Sequence, residues 1–260
     1  MIMAHLIYET EGLLACSLTC YSWYIAAVPH LHHTLISVLS KPSPYDDDRK
    51  IDWEIFWPKP LPRMHKLGLL PLVKKLQIHA ESYHEFSPRV FNRCILRHFS
   101  ALANVQELGI DSLNIRKFVP RIRRYFGHFL PTVRSLALRQ PKGSRQQIIY
   151  FIGLFQHLEN LNLHSCWDGL GVEPADDLTL TPPFAPPLRG RLMVNSVDSC
   201  LLKNAIDLFG GVRFRQLDFS CNVGEMPPLL AACAKTLETL RLYPIHGCCG
   251  CVSSSKVCAF

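Results

Sequence analysis

Between residues 12 and 40 the sequence contains no Asp, Glu, Lys or Arg: GLLACSLTCYSWYIAAVPHLHHTLISVLS. So long an uncharged run first suggests a membrane span, which needs about 20 mainly apolar residues. Polarity argues against a span, because Ser17, Thr19, Tyr21, Ser22, Tyr24, Pro29, His30, His32, His33 and Thr34 interrupt the run. A secretory leader fares no better, since Glu9 and Glu11 flank the run and no Lys or Arg precedes it. Also missing are a Gly-x-x-x-x-Gly-Lys phosphate loop, a His-Glu-x-x-His zinc motif and a Gly-x-Ser-x-Gly nucleophile elbow. Asp46, Asp47 and Asp48 lack the spacing and glycine of a calcium loop and read as a solvated turn. The twelve His are scattered, and no nucleophile stands at a readable distance from a base, so no catalytic residue and no cofactor is expected. Eleven Cys, an odd count without framework spacing, point to reduced thiols and a cytoplasmic or nuclear setting. In the tail, Cys248 and Cys251 form a Cys-x-x-Cys with His246 and Cys258 near, but a second matching ligand pair is missing. No metal site is expected, and residues 246–260 read as a disordered tail rich in Ser and Gly.

What is present describes a globular chain. Its 260 residues are 48% hydrophobic and 19% charged, enough to bury a proper core. The net charge of +7 has one visible focus, Arg116, Lys117, Arg121, Arg123 and Arg124, interleaved with Phe118, Tyr125 and Phe126. Such a cluster can grip nucleic acid. The helical spacing of Ile122, Phe126 and Phe129 favours an amphipathic helix with core aromatics, and its basic face would suit an acidic or phosphorylated protein. A protein, rather than nucleic acid or membrane, is the expected partner.

One pattern recurs, apolar-x-x-Leu-x-apolar: VKKLQI, VQELGI, VRSLAL, LENLNL, FRQLDF and LETLRL, with a looser copy in LRGRLMV. Its central leucines are Leu76, Leu108, Leu136, Leu161, Leu192, Leu217 and Leu240, spaced by 32, 28, 25, 31, 25 and 23 residues. Each gap is long enough for a helix. The segment SRQQIIYFIGLF opens with a capping box from Ser144 to Gln147, and SVDSCLLKNAIDLFGG ends on Gly210 and Gly211. A further helix is expected at 87–102, with Ser87 as N-cap and Val90, Phe91, Ile95 and Phe99 inward, and a short one in PPLLAACAKTL. Cys166 and Asn222 hold the Asn/Cys position of the leucine-rich-repeat consensus in two copies only. The predicted fold class is therefore α/β, an irregular leucine-rich-repeat solenoid whose curved parallel sheet is backed by helices. Strand side chains alternate, so Gln77, Asn162, Asp218 and Arg241 should line its concave, substrate-binding face.

The charge-free run fits a helix, with Leu14, Leu18, Tyr21 and Ile25 on one face. LLACSLTCYSW resembles the second helix of an F-box, usually Leu-Leu-x-x-Ser-Leu-Val-Cys-x-x-Trp. Leu13, Leu14, Ser17, Leu18, Cys20 and Trp23 match, and Thr19 replaces the usual Val. HLHHTLISV resembles the segment that follows it, and Ile2 and Leu6 resemble the apolar residues of the first helix. The Leu-Pro-x-Glu opening is not in this sequence. RRYFGHFLPTVRSLAL and IIYFIGLFQHLENLNL resemble the repeat domain of basidiomycete-type fungal F-box proteins. The resemblance, over residues 2–245, implies a substrate-recruiting subunit of a cullin–RING ubiquitin ligase. It implies that Leu14, Leu18 and Trp23 contact the Skp-type linker protein, weakly without the Leu-Pro segment, and that the repeats hold an unknown protein substrate.

The expected division is a short helical F-box remnant at 1–38, a linker and cap at 39–70, a solenoid at 71–245 and a tail at 246–260. Trp53 and Trp57 would either cap the first repeat or bind a partner. The proline-rich insertion 167–187 is either disordered or functional. A repeat scaffold that does not engage the ligase is the alternative reading.

Overall fold

Alternation of leucine with polar residues builds the centre of the molecule. The computed structural model describes residues 10–39, 60–80, 101–115, 126–128, 130–166, 188–195, 197, 201–202, 206, 212–220, 227–243 and 256–259. Nine strands form one open sheet: β1 (Thr34–Leu39), β2 (Lys75–Ala80), β3 (Glu107–Asp111), β4 (Ser135–Arg139), β5 (Asn160–His164), β6 (Leu188–Asn195), β7 (Val212–Ser220), β8 (Thr239–Leu242) and β9 (Lys256–Ala259). Each strand pairs with the next in sequence; β1 to β8 run parallel, and β9 is antiparallel to β8. The protein is thus α/β, and the strands expected from the repeated motif are parallel neighbours in chain order.

The register puts the motif leucines in one row: Leu35, Leu76, Leu108, Leu136, Leu161, Leu192, Leu217 and Leu240. All are buried. Side chains two residues on, such as Ile78, Ile110, Leu138, Leu163, Val194 and Phe219, form a second buried row on the same face. Fully burying one such side chain stabilises by about 1.5–3 kcal/mol. Helices cover this face. Helix α4 (Arg145–Ile152) begins with the predicted capping box: Ser144 Oγ accepts from Gln147 N at 3.3 Å, and Ser144 N donates to Gln147 Oε1 at 3.0 Å. Its Ile148, Ile149, Phe151 and Ile152 enter the core. Phe151 meets Phe126 and Phe155 edge-on, with centroids 5.4 and 5.2 Å away. Helix α5 (Pro227–Cys233) adds Leu229 and Cys233.

Backbone rungs tie each strand entry to the one before. His33 O accepts from Lys74 N and Lys75 N, Lys74 O from Gln106 N and Glu107 N, Gln106 O from Arg134 N and Ser135 N, and Arg134 O from Glu159 N and Asn160 N. At the strand exits Ser112, Gln140 and Ser165 take positive φ of 58°, 47° and 51°. Their N–H groups donate to Arg139, His164 and Asn195 carbonyls. The looser copy differs at its entry. Gly190 has φ +84°, and a Cβ there would lie 2.0 Å from the Glu159 carbonyl oxygen. The register with β7 shifts at this point, so Arg215 is an extra residue and both Arg215 and Gln216 face outward.

The N-terminal segment departs from expectation. It is two helices, α1 (Thr10–Thr19) and α2 (Tyr21–Leu31), separated by Cys20 in extended conformation (φ −161°, ψ 167°). Ser17 Oγ and Thr19 Oγ1 donate back to the Leu14 and Ala15 carbonyls, satisfying acceptors where α1 ends. The helical part stops at Leu31, and β1 begins at Thr34, inside the region expected to be a helical remnant. Alternating β-branched Thr34, Ile36 and Val38 suit a strand, with Leu35 buried beside Leu76. Helix α3 (Pro60–Lys66) and a 3-10 turn (Leu70–Leu72) then lead into β2, with Met64 and Leu70 in the core. In the expected disordered tail, Lys256–Ala259 forms β9. Ile2, Leu6, Asp46 to Asp48, Trp53, Trp57, the expected helix at 87–102 except its last two residues, the basic cluster at 116–125, the insertion 167–187, Gly210, Gly211, Asn222 and residues 246–255 lie outside the described residues.

Candidate functional site

Two surfaces carry chemistry that the fold does not use. The first is the outer side of α1 and α2. The residues that the F-box resemblance assigns to a linker contact are exposed: Leu14 at 49%, Leu18 at 86% and Trp23 at 36%. Tyr21, Tyr24 and Ile25 are exposed as well. The residues that α1 and α2 bury are instead Leu13, Cys16 and Ala27. Leu14 and Leu18 lie one turn apart in α1, and Tyr21 and Ile25 lie one turn apart in α2, so each helix presents an apolar pair to solvent. Tyr21 and Tyr24 stack at 6.5 Å, so part of this surface is ordered by its own aromatics.

The second surface is the sheet face turned away from the helices. Its middle row is Ile36, Gln77, Gly109, Ala137, Asn162, Met193, Asp218 and Arg241. Gln77, Asn162 and Arg241 lie there half-buried, in the row expected of them. Asp218 is in the same row, but its side chain is sealed from solvent. Asp218 Oδ2 accepts from Arg191 Nε at 2.6 Å and from Gln216 Nε2 at 3.1 Å, and Arg241 Nε lies 3.9 Å from Oδ1. Asp218 is therefore a buried anchor between two arginines rather than a contact residue. Truncating it would leave the guanidinium of Arg191 without its carboxylate.

Between β2 and β5 this side of the sheet carries charges of both signs, with Arg139 in register opposite Asp111. Lys75 pairs with Glu107 at 3.5 Å, His79 Nδ1 lies 3.3 Å from Asp111 Oδ2, and Arg134 bonds Glu159. Exposed pairs of this kind contribute about 0–1 kcal/mol, so their effect is to cancel charge more than to hold the fold. Gly109 and Ala137 leave the centre of this half shallow.

Two buried thiols, Cys166 and Cys233, serve the fold. Cys166, at the consensus Asn/Cys position, is buried and its Sγ donates to Leu138 O at 3.8 Å and His164 O at 3.7 Å. Burial pushes its pKa up to about 12, against the smaller opposite pull of the His164 backbone hydrogen bond, so it stays a thiol donor at neutral pH. Burial likewise raises Cys233, again against a backbone hydrogen bond, from Phe214. His32, at the end of α2, is pushed down by burial. Among the described residues no three His, Cys, Asp or Glu side chains gather to hold a metal ion, and no helix is long and apolar enough to cross a membrane.

Sequence reasoning passed over Arg189, Arg191, Arg213 and Arg215. The signal was there: Arg-Gly-Arg and Arg-Phe-Arg enter successive strands, and a two-residue spacing puts each pair on one face. No protein-family model, curated protein or solved structure matches this chain.

Proposed function

We propose that this chain is a substrate-recruiting adaptor of a cullin–RING ubiquitin ligase, and not itself an enzyme. In this reading α1 and α2 are F-box helices that dock on a Skp-type linker protein. The sheet is a leucine-rich-repeat solenoid whose open face holds a protein substrate. The observation that carries the reading is the exposure of Leu14, Leu18 and Trp23 at the motif positions where an F-box meets its linker. Apolar side chains grouped on one surface mark a protein contact, and the charge-free sequence around them suits its buried centre. The repeating strand register supports the solenoid part.

The test is a titration of the chain against purified Skp-type linker protein. Wild type should bind, and Leu18→Asp should weaken binding by more than about tenfold, or about 1.4 kcal/mol, by placing a charge in the apolar contact. Unchanged binding by Leu18→Asp, or no binding by wild type, removes the ligase reading. One observation favours the scaffold instead: β1 follows α2 after only two residues and joins the sheet, so the helix pair is built onto the repeats. A scaffold would bind its partners equally well with and without the linker protein.

A further inference from the structure

The open face changes character at β6. Arg189 on β6 stands directly opposite Arg213 on β7, and both are exposed. Their strand neighbours Leu188, Val212 and Phe214 are buried, so both guanidinium groups project from the open face. Adjacent strands lie about 4.8 Å apart, and like charges set directly opposite destabilise a sheet. Arg215, the extra residue of β7 after buried Phe214, stands on the same side, with Glu238 3.7 Å away in a pair largely open to water. Farther along, Arg191 and Arg241 flank the buried Asp218. Five arginines thus face two carboxylates, Asp218 and Glu238, on β6 to β8 and the residue before β8. No carboxylate among the described residues pairs with Arg189 or Arg213.

We propose that Arg189 and Arg213, with Arg215 beside them, dock a phosphorylated side chain of a bound protein. The proposal rests on the reading of this face as the substrate surface, and it names the chemistry recruited there. Two opposed guanidinium forks call for an anion with more than one charge and more than two acceptor oxygens. A phosphate monoester carries about −1.5 to −2 charges at neutral pH and three such oxygens, whereas a carboxylate offers one charge and two. Asp218 keeps Arg191 and Arg241 engaged, so the free positive charge is concentrated at the Arg189–Arg213 end. A nucleic-acid strand fits less well, because its continuous backbone of phosphates would need a longer line of unpaired cations than Arg189 and Arg213, with Arg191 and Arg241 held by Asp218 and Arg215 facing Glu238.

The full chain is passed over immobilised phosphoserine peptides with degenerate flanks, alongside matched serine and glutamate peptides, at physiological salt. The phosphoserine set should retain about tenfold more protein than either control, a difference of about 1.4 kcal/mol, and inorganic phosphate should compete. Arg189→Ala with Arg213→Ala should abolish the preference. Arg189→Lys with Arg213→Lys keeps the charge and loses the forks, so it should retain only part of it. Lys75→Ala, on β2, should change nothing. Equal retention of serine and phosphoserine peptides overturns the proposal. So does a double alanine variant that discriminates like wild type, or a single-stranded oligonucleotide that displaces the phosphopeptides at matched phosphate concentration. The same double variants are titrated with linker protein, where unchanged binding is expected. A wild type that binds linker protein but retains serine and phosphoserine peptides equally would sink this site alone. Linker failure with the preference intact would sink the ligase reading alone.

Discussion

Leu161 in β5 and Leu18 in α1 are the same side chain in opposite situations, one 4% exposed and the other 86%. The sheet supplies its own partners. Leu161 lies between Leu136 and Leu192 in the row, with α4 and its isoleucines across the face. The helix pair does not, because α1 and α2 turn only Leu13, Cys16 and Ala27 inward and leave a larger apolar set in water. The apolar residues of the strands are therefore accounted for by folding. Those of the helix pair are accounted for only by something outside the described fold. This contrast separates residues that specify structure from residues free to specify a partner.

The largest break in the contrast should come from the sheet. Leu161→Ala removes a buried side chain from the middle of the row and should cost about 2–5 kcal/mol, read as a lower urea midpoint. A cost near zero would mean that β5 does not share the core. Gly190→Ala comes next. Its Cβ would collide with the Glu159 carbonyl, at a backbone φ that L residues rarely adopt, and should destabilise by about 1–3 kcal/mol. If the variant melts like wild type, Gly190 does not abut the Glu159 carbonyl. The smallest effect belongs to the other side of the comparison. Leu18→Ser should leave stability within about 0.5 kcal/mol of wild type, since the side chain touches little of the core. A large loss of stability there would show that Leu18 is buried by this chain itself, and the case for an outside partner would lapse.

The strands were legible because a buried row of leucines repeats with a fixed local pattern, and each copy shows it without reference to the others. The capping box at Ser144 was legible for the same reason, being four residues long. What escaped depended on distance or on a broken period. Cys20 interrupts the helix without any capping side chain, so counting residues ran through it. Thr34, Ile36 and Val38 alternate as a strand does, but the same segment resembles the end of an F-box, and that resemblance places it with the helices. Asp218 was placed in the right row, but its burial depends on Arg191, 27 residues earlier. Arg-Gly-Arg and Arg-Phe-Arg each show which side of its strand an arginine takes, but that Arg189 stands opposite Arg213 depends on the pairing of two strands 24 residues apart.

Chain-order pairing also has a mechanical consequence. Paired leucines in the parallel part of the sheet are never farther apart in sequence than Leu35 and Leu76, a separation of 41 residues, and Leu217 and Leu240 are only 23 apart. Strands β2 to β7 each lean only on the strand just before and the strand just after. A pull on the two ends of the sheet would therefore meet the interfaces in series, one after another, and the weakest would open first. Strain entering at α1 and α2 from a bound partner would reach β1 and β2 well before it reached the arginines of β6 and β7. The helix pair and the arginines of β6 and β7 are separated by four intervening strands, β2 to β5, so force or disorder at one need not disturb the other.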